Sequence, residues 1–302
     1  SAIHSVGETL MHTGHGRPGF PSLGSWVTYG LGSESSTLPP YVVMKDGLAT
    51  AGDIVFQQGM LPGRHRASVA VAERGKPPFP YLSPDPSISK ESQYNYLRKL
   101  QQLNKTHQKK HIGQPELMSR IESFEMAFEL QSSAIEAFDL NREPKSIHKL
   151  YGENLFSRHC LTARRLIESG VRFVEILDGA EGRKWDAHGN RGGLVDNHRN
   201  NAARTDQGIA ALITDLKSRG MLDETLIVWA TEFGRTPFEE ERKEKSVLGR
   251  GHHHKGFTLW MAGGGVKGGL SYGQTDELGM YAVKDPVSFH DFHATILHLL
   301  GL

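Results

Sequence analysis

The residues able to do chemistry gather in the second half of this 302-residue chain. Asp186 and His188 stand two apart in a glycine-flanked loop. Alternate side chains of an extended segment share a face, so a carboxylate oxygen and an imidazole would point the same way. Such a pair suits a borderline divalent ion such as zinc or manganese, and equally a hydrogen-bonded Asp–His pair that shapes the loop. Glu232 follows directly on an apolar run. A carboxylate buried there needs a cation, either a metal ion or the guanidinium of Arg235. Arg235 itself offers a planar fork for an anionic group. His252-His253-His254 forms a tight triplet, of which at most two members can face one way. It reads as a metal-ligand cluster or as a solvated loop.

Other groups carry weaker signals. Asp178 ends an apolar run and suits either a ligand or a helix cap. Asp196 and His198 read as solvent-facing loop residues. Asp291 reads most simply as the N-terminal cap of the last helix, with His293 beside it. Cys160 falls in an amphipathic helix, where a buried inert thiol is expected. The glycine run at 263–269 lacks the ending of a phosphate-binding P-loop, and no nucleophile elbow is present. Sixteen histidines are many for this length and hint at metal chemistry.

Composition narrows the partners. A net charge of +1 gives no global reason to bind nucleic acid or an anionic membrane. No apolar run is long enough to span a bilayer. One cysteine leaves no internal disulfide.

The elements that must position these groups follow from periodicity. Apolar runs at 171–177 and 225–230 read as strands, and the chemistry follows each of them. Amphipathic helices at 156–169 and 200–219 precede them, and a further strand is expected at 257–262. The last helix is expected at about 289–300. Upstream, 40–44 reads as a buried strand and 25–32 as a short helix inside a Gly/Ser/Pro-rich loop covering 1–40. Residues 45–90 are turn-rich, with prolines at 76–80 excluding regular structure. Tyr96, Leu97, Leu100 and Leu103 mark one helix. Leu117, Ile121, Phe124, Phe128, Ile135 and Phe138 mark a second, with the basic run at 105–111 a solvated turn between them. This block at about 90–150 reads as a helical insertion. The whole predicts one α/β domain over 1–302, with a parallel-rich central sheet covered by helices on both faces. Open α/β sheets keep their sites at the carboxyl ends of the strands.

Several segments resemble one family closely. They are Trp185-Asp186-Ala187-His188-Gly189-Asn190, Ala230-Thr231-Glu232-Phe233-Gly234-Arg235-Thr236-Pro237, the glycine-histidine stretch at 249–253, and 291–301 with Asp291 and His293. Pro21-Ser22-Leu23-Gly24-Ser25-Trp26 and the stretch at 29–34 resemble it too. The family is DUF1501, a bacterial family of uncharacterised activity placed in the alkaline phosphatase and sulfatase superfamily. The resemblance runs from about residue 10 to 302.

What the resemblance implies is an alkaline phosphatase-like fold and metal-dependent hydrolysis of phosphate or sulfate esters, on small molecules or glycans. One site for a divalent ion (zinc, manganese or calcium) would be built from Asp186, His188, Glu232 and His252 or His253. Arg235 would steady developing negative charge. Two departures stand out. Phe233 takes the place of a usual histidine ligand, and Gly251 the place of an aspartate before the histidine pair. The superfamily's nucleophile would lie upstream of Ser1, so that the chain reads as the cut end of a longer, exported protein; Ser1 and Thr13 are poor candidates. The competing class is a catalytically degenerate member that binds a sugar or a protein and keeps at most a structural metal.

Overall fold

Tyr41-Val42-Val43-Met44 is apolar without alternation, the pattern of a strand buried on both faces. The computed structural model describes residues 2–45, 47, 49–70, 79, 87–110, 121, 136–179, 185–189, 193–240 and 248–302. In it these four side chains are wholly buried. They belong to strand β1 (Tyr41–Lys45), the centre of a parallel sheet flanked by β2 (Ser68–Ala70) and β3 (Phe173–Leu177). Val43 lies opposite Glu175 in the β1–β3 register.

Alternation along β1 divides two cores. Val42 and Met44 pack with Leu166 and Val171, whereas Tyr41 and Val43 pack with Val55 and Phe56. The second face also carries two N-terminal helices, α1 (His4–Thr13) and α2 (Leu23–Leu31). Helix α2 lies so close that a Cβ at Gly24 would stand 2.7 Å from the Tyr41 ring.

Further along come α3 (Lys90–Lys110), α4 (Lys145–Tyr151) and α5 (Leu155–Glu168), then α6 (Gly193–Ser218). Asn154 caps α5 by accepting from the Ser157 amide. Tyr151, Phe156, Cys160, Leu161 and Ala211 form a third core beneath Ile176 and Trp229. Burial, with the charge of Asp178, pushes the Cys160 thiol up to about 12, as an inert core cysteine should be. Arg164 ties the helices together, with Glu143 at 2.7 Å and Asp215 at 2.9 Å.

The second half is built differently. Strand β4 (Ile227–Trp229) pairs antiparallel with β7 (Trp260–Ala262), and β5 (Gly234–Arg235) with β6 (His252–His253). A hairpin of β8 (Gln274–Thr275) and β9 (Ala282–Lys284) precedes α7 (Phe289–Leu299). The parallel expectation therefore holds for β1–β3 and fails for β4–β7. A parallel pair needs a helical crossover, and among the described residues no helix lies between those two strands.

Other differences are local. Residues 4–13 are helical, not loop. Helix α3 continues through Lys110, so the described part of the basic run is helix, not turn. Asp196 and His198 lie in α6, not in a loop, and the His198 Nδ1 donates to the Leu194 carbonyl at 3.0 Å. Ser288 caps α7, while Asp291 bonds back to it as the other half of a capping box. Most of the helix expected at 117–138, most of the proline-rich stretch at 76–80, His111, Asn190 and Ser1 lie outside the described residues. No helix among the described residues is long and apolar enough to cross a membrane.

Candidate metal centre

Asp186 sits in the loop after β3, and four cationic or imidazole groups surround its carboxylate. Its Oδ1 is 2.8 Å from His188 Nε2 and 3.0 Å from His252 Nε2. Its Oδ2 is 3.4 Å from His4 Nε2. Arg235 donates to Oδ1 through Nη2. The Nε2 atoms of His188 and His252 are themselves 3.0 Å apart.

Short-range structure puts each group there. The β5–β6 register sets Arg235 directly opposite His252. Arg250 anchors the loop by donating its amide to the Ala187 carbonyl at 2.9 Å. Helix α1 presses against residues 232 and 233: a Cβ at Gly7 would stand 3.1 Å from the Glu232 side chain and 3.2 Å from the Phe233 ring. A mid-helix glycine costs about 1 kcal/mol relative to alanine. Here it permits the approach that brings His4 in.

Protonation follows from the outer partners. His188 Nδ1 is 2.7 Å from Glu240 Oε2, His252 Nδ1 is 2.8 Å from the Ala2 carbonyl, and His4 Nδ1 is 2.6 Å from Glu232 Oε1. All three partners accept, so each Nδ1 carries a proton. The three Nε2 atoms are left facing one carboxylate, those of His188 and His252 on Oδ1 and that of His4 on Oδ2. A divalent cation among them would take the place of protons shared with Asp186. Arg235 supplies part of that charge, with Nη1 3.3 Å from His188 Nε2 and 3.2 Å from the Arg250 carbonyl. Burial alone would raise the Asp186 carboxyl. The Arg235 hydrogen bond and charge outweigh it and, with His252 and His188, hold Asp186 well below the usual carboxylate range.

The donor set fits a divalent ion. Imidazole nitrogens with one carboxylate oxygen suit zinc or manganese. A ligand imidazole that donates its other nitrogen to an acceptor is the usual outer arrangement of such sites. The ligand atoms of His4, Asp186 and His252 all fall within 4.8 Å of one another.

Each expected site residue has a definite place. Asp186, His188, His252 and Arg235 come together. Glu232 stands behind His4, its other oxygen taken by the Thr231 hydroxyl at 2.9 Å. His253 points away from the cluster, with its Nε2 on the Met280 carbonyl, because neighbours in a strand face opposite ways. His254 is exposed. Buried Phe233 tilts its ring 4.6 Å from His252 and 5.0 Å from His4, walling one side of the cluster. Asp178 pairs with Arg204 at 2.6 Å and accepts from the Trp185 indole at 3.0 Å. Thr13 is buried, its hydroxyl held on the Thr9 and His15 carbonyls.

No motif in the sequence points to His4 or Glu240. His4 did leave a trace, since His4, Glu8 and His12 recur every four residues on one helical face. Glu240 sits in a charged run that reads as solvated loop.

No curated protein and no solved structure matches the chain. One family model, described as "Protein of unknown function (DUF1501)", matches residues 1–302. The chain, with its His–Asp–His cluster, therefore belongs to the DUF1501 family.

Proposed function

We propose that this chain holds one divalent metal ion and hydrolyses phosphate or sulfate esters of small molecules or glycans, on an alkaline phosphatase-like α/β frame. One observation carries the reading. Three imidazole Nε2 atoms, each with its Nδ1 committed to an acceptor, converge on Asp186.

The roles divide among the chain's own groups. His4, His188 and His252 present Nε2, and Asp186 supplies the anionic oxygen. When bound, a divalent ion there would polarise an ester oxygen and make the attacking group more acidic. Arg235, held at the edge of the cluster by the Arg250 carbonyl, offers N–H donors to the oxygens of an anionic group, where charge develops as the ester bond breaks. Phe233 closes off water from the side of His4 and His252.

The test is metal stoichiometry followed by turnover. Protein stripped with a chelator and reloaded with zinc or manganese should retain about one ion per chain. The loaded form should hydrolyse p-nitrophenyl phosphate or p-nitrophenyl sulfate, and the stripped form should not. Metal retained without turnover of either ester would sink the hydrolase reading. No retained metal would sink the centre itself.

A further inference from the structure

We infer that Glu240 is a positioning residue of this metal centre and that its carboxylate fills the space a side chain at position 251 would enter. The inference rests on the metal reading above. Glu240 Oε2 holds His188 Nδ1 at 2.7 Å, which fixes both the tautomer and the ring direction that aim Nε2 at Asp186.

The loop bearing Glu240 is tied to the strand bearing the histidines. The Glu240 amide donates to the Gly249 carbonyl at 3.0 Å. Thr236 and Gly251 bond reciprocally, the Thr236 amide to the Gly251 carbonyl at 3.0 Å and the Gly251 amide to the Thr236 hydroxyl at 3.1 Å. Gly251 is not among the glycines of positive φ, so its backbone does not call for glycine. A Cβ built there would meet three Glu240 atoms, at 3.6–3.7 Å: the carboxyl carbon, Oε1 and Cγ. That is ordinary contact for a Cβ alone; a longer side chain at 251 would compete with the Glu240 carboxylate for the same space.

In a variant that lacks the acid at 240, a carboxylate at 251 would start from the space beside the one that holds His188.

Two measurements test this on the whole chain. The first is zinc affinity by chelator competition. Glu240→Ala should weaken zinc by about 10–100-fold, as loss of such an outer partner does. Glu240→Gln, which keeps an acceptor oxygen but not the charge, should lose less. The double variant Glu240→Ala with Gly251→Asp should recover most of the loss. A purely structural role for Glu240 would not predict rescue from another position. Unchanged zinc affinity in Glu240→Ala, or a double variant no tighter than Glu240→Ala alone, overturns the inference.

The second measurement is the nitrogen spectrum of His188 in the metal-free protein. The wild type should show the Nδ1-protonated tautomer, Glu240→Ala a mixture, and the double variant the wild-type form. This arm separates two failures. If wild type binds no zinc yet shows that dependence, the metal reading falls and the positioning role stands. If zinc binds and the tautomer ignores Glu240, the positioning role falls alone.

Discussion

Helix α1 carries a histidine near each end, about 12 Å apart along its axis, and the two live in opposite circumstances. His12 is buried and closed. Its Nδ1 donates to the Glu8 carbonyl at 2.7 Å, its Nε2 to Glu175 at 2.7 Å, and Tyr41 donates to the other oxygen of Glu175 at 2.7 Å. Both of its ring nitrogens have a partner of their own. His4 has Glu232 at 2.6 Å, but its Nε2, 3.4 Å from Asp186, shares that carboxylate with His188 and His252. A satisfied network rigidifies a core, whereas an unbalanced one asks for something from outside. That difference separates a structural histidine from a ligand more sharply than burial does.

The largest expected effects come from breaking each network at its carboxylate. Glu175→Ala leaves a buried imidazolium without its counter-charge and a buried tyrosine hydroxyl without its acceptor. It should cost about 3–5 kcal/mol of unfolding free energy in a denaturant titration. Its zinc affinity should stay within about threefold of wild type, since the two networks are too far apart to couple. Asp186→Ala should do the reverse. Zinc affinity should fall by more than about 100-fold, beyond the loss typical of an outer partner. Stability should fall by less than in Glu175→Ala, since this pair is partly exposed. A variant at either residue that damages both properties equally would erase the distinction.

How far the sequence reveals these two networks differs for physical reasons. The β1–β3 sheet and the flanking helices are readable because periodicity reports burial: Val42 and Met44 turn to one core, Tyr41 and Val43 to the other. Asp186, His188 and Arg235 are legible because they follow apolar strand-forming runs, and His252 because it stands in a histidine triplet. His4 escapes because a mid-helix glycine and a glycine-rich flank make residues 1–40 look like loop. The reason for Gly7, close approach to Glu232 and Phe233, exists only in three dimensions. Glu175 lies in the middle of a strand, where nothing local announces that its partners stand 163 and 134 residues away. The antiparallel pairing of β4 and β7 goes with a connection that holds no helix among its described residues, which no apolar period in either strand announces.

A smaller effect separates the two ends of α1 by pH. Burial disfavours charge on His12. The Glu175 charge and hydrogen bond, with the Glu8 carbonyl, more than offset it and raise His12 above its ordinary 6.5. For Glu175, burial works upward and His12 with Tyr41 downward, and the net shift is below its ordinary 4.5. A raised histidine gives stability that is whole below 6.5 and fades as pH climbs through the folded value. A lowered glutamate gives stability that is whole above 4.5 and fades as pH falls through its folded value. The pair is therefore at full strength between those two ordinary values. Tm should decline from that window toward alkaline pH, by about 2–4 °C for each kcal/mol lost. His12→Gln should flatten the decline. A wild-type Tm that rises toward alkaline pH would show that the network is not charged.

The smallest effect tests which face of β6 belongs to the metal. His252 and His253 are neighbours in one short strand, so their side chains must leave on opposite sides. His252 turns toward Asp186. His253 turns toward the Met280 carbonyl and lies 6.1 Å from the Tyr281 ring, on the side of the β8–β9 hairpin. His253→Gln keeps an N–H donor for that carbonyl, so zinc affinity should stay within about twofold of wild type. His252→Gln should lose zinc as Asp186→Ala does. Equal losses from both would require the strand to present two successive side chains to one ion. A pleated backbone cannot do that without a bulge, and the β5–β6 pairing of Arg235 with His252 and Gly234 with His253 contains none.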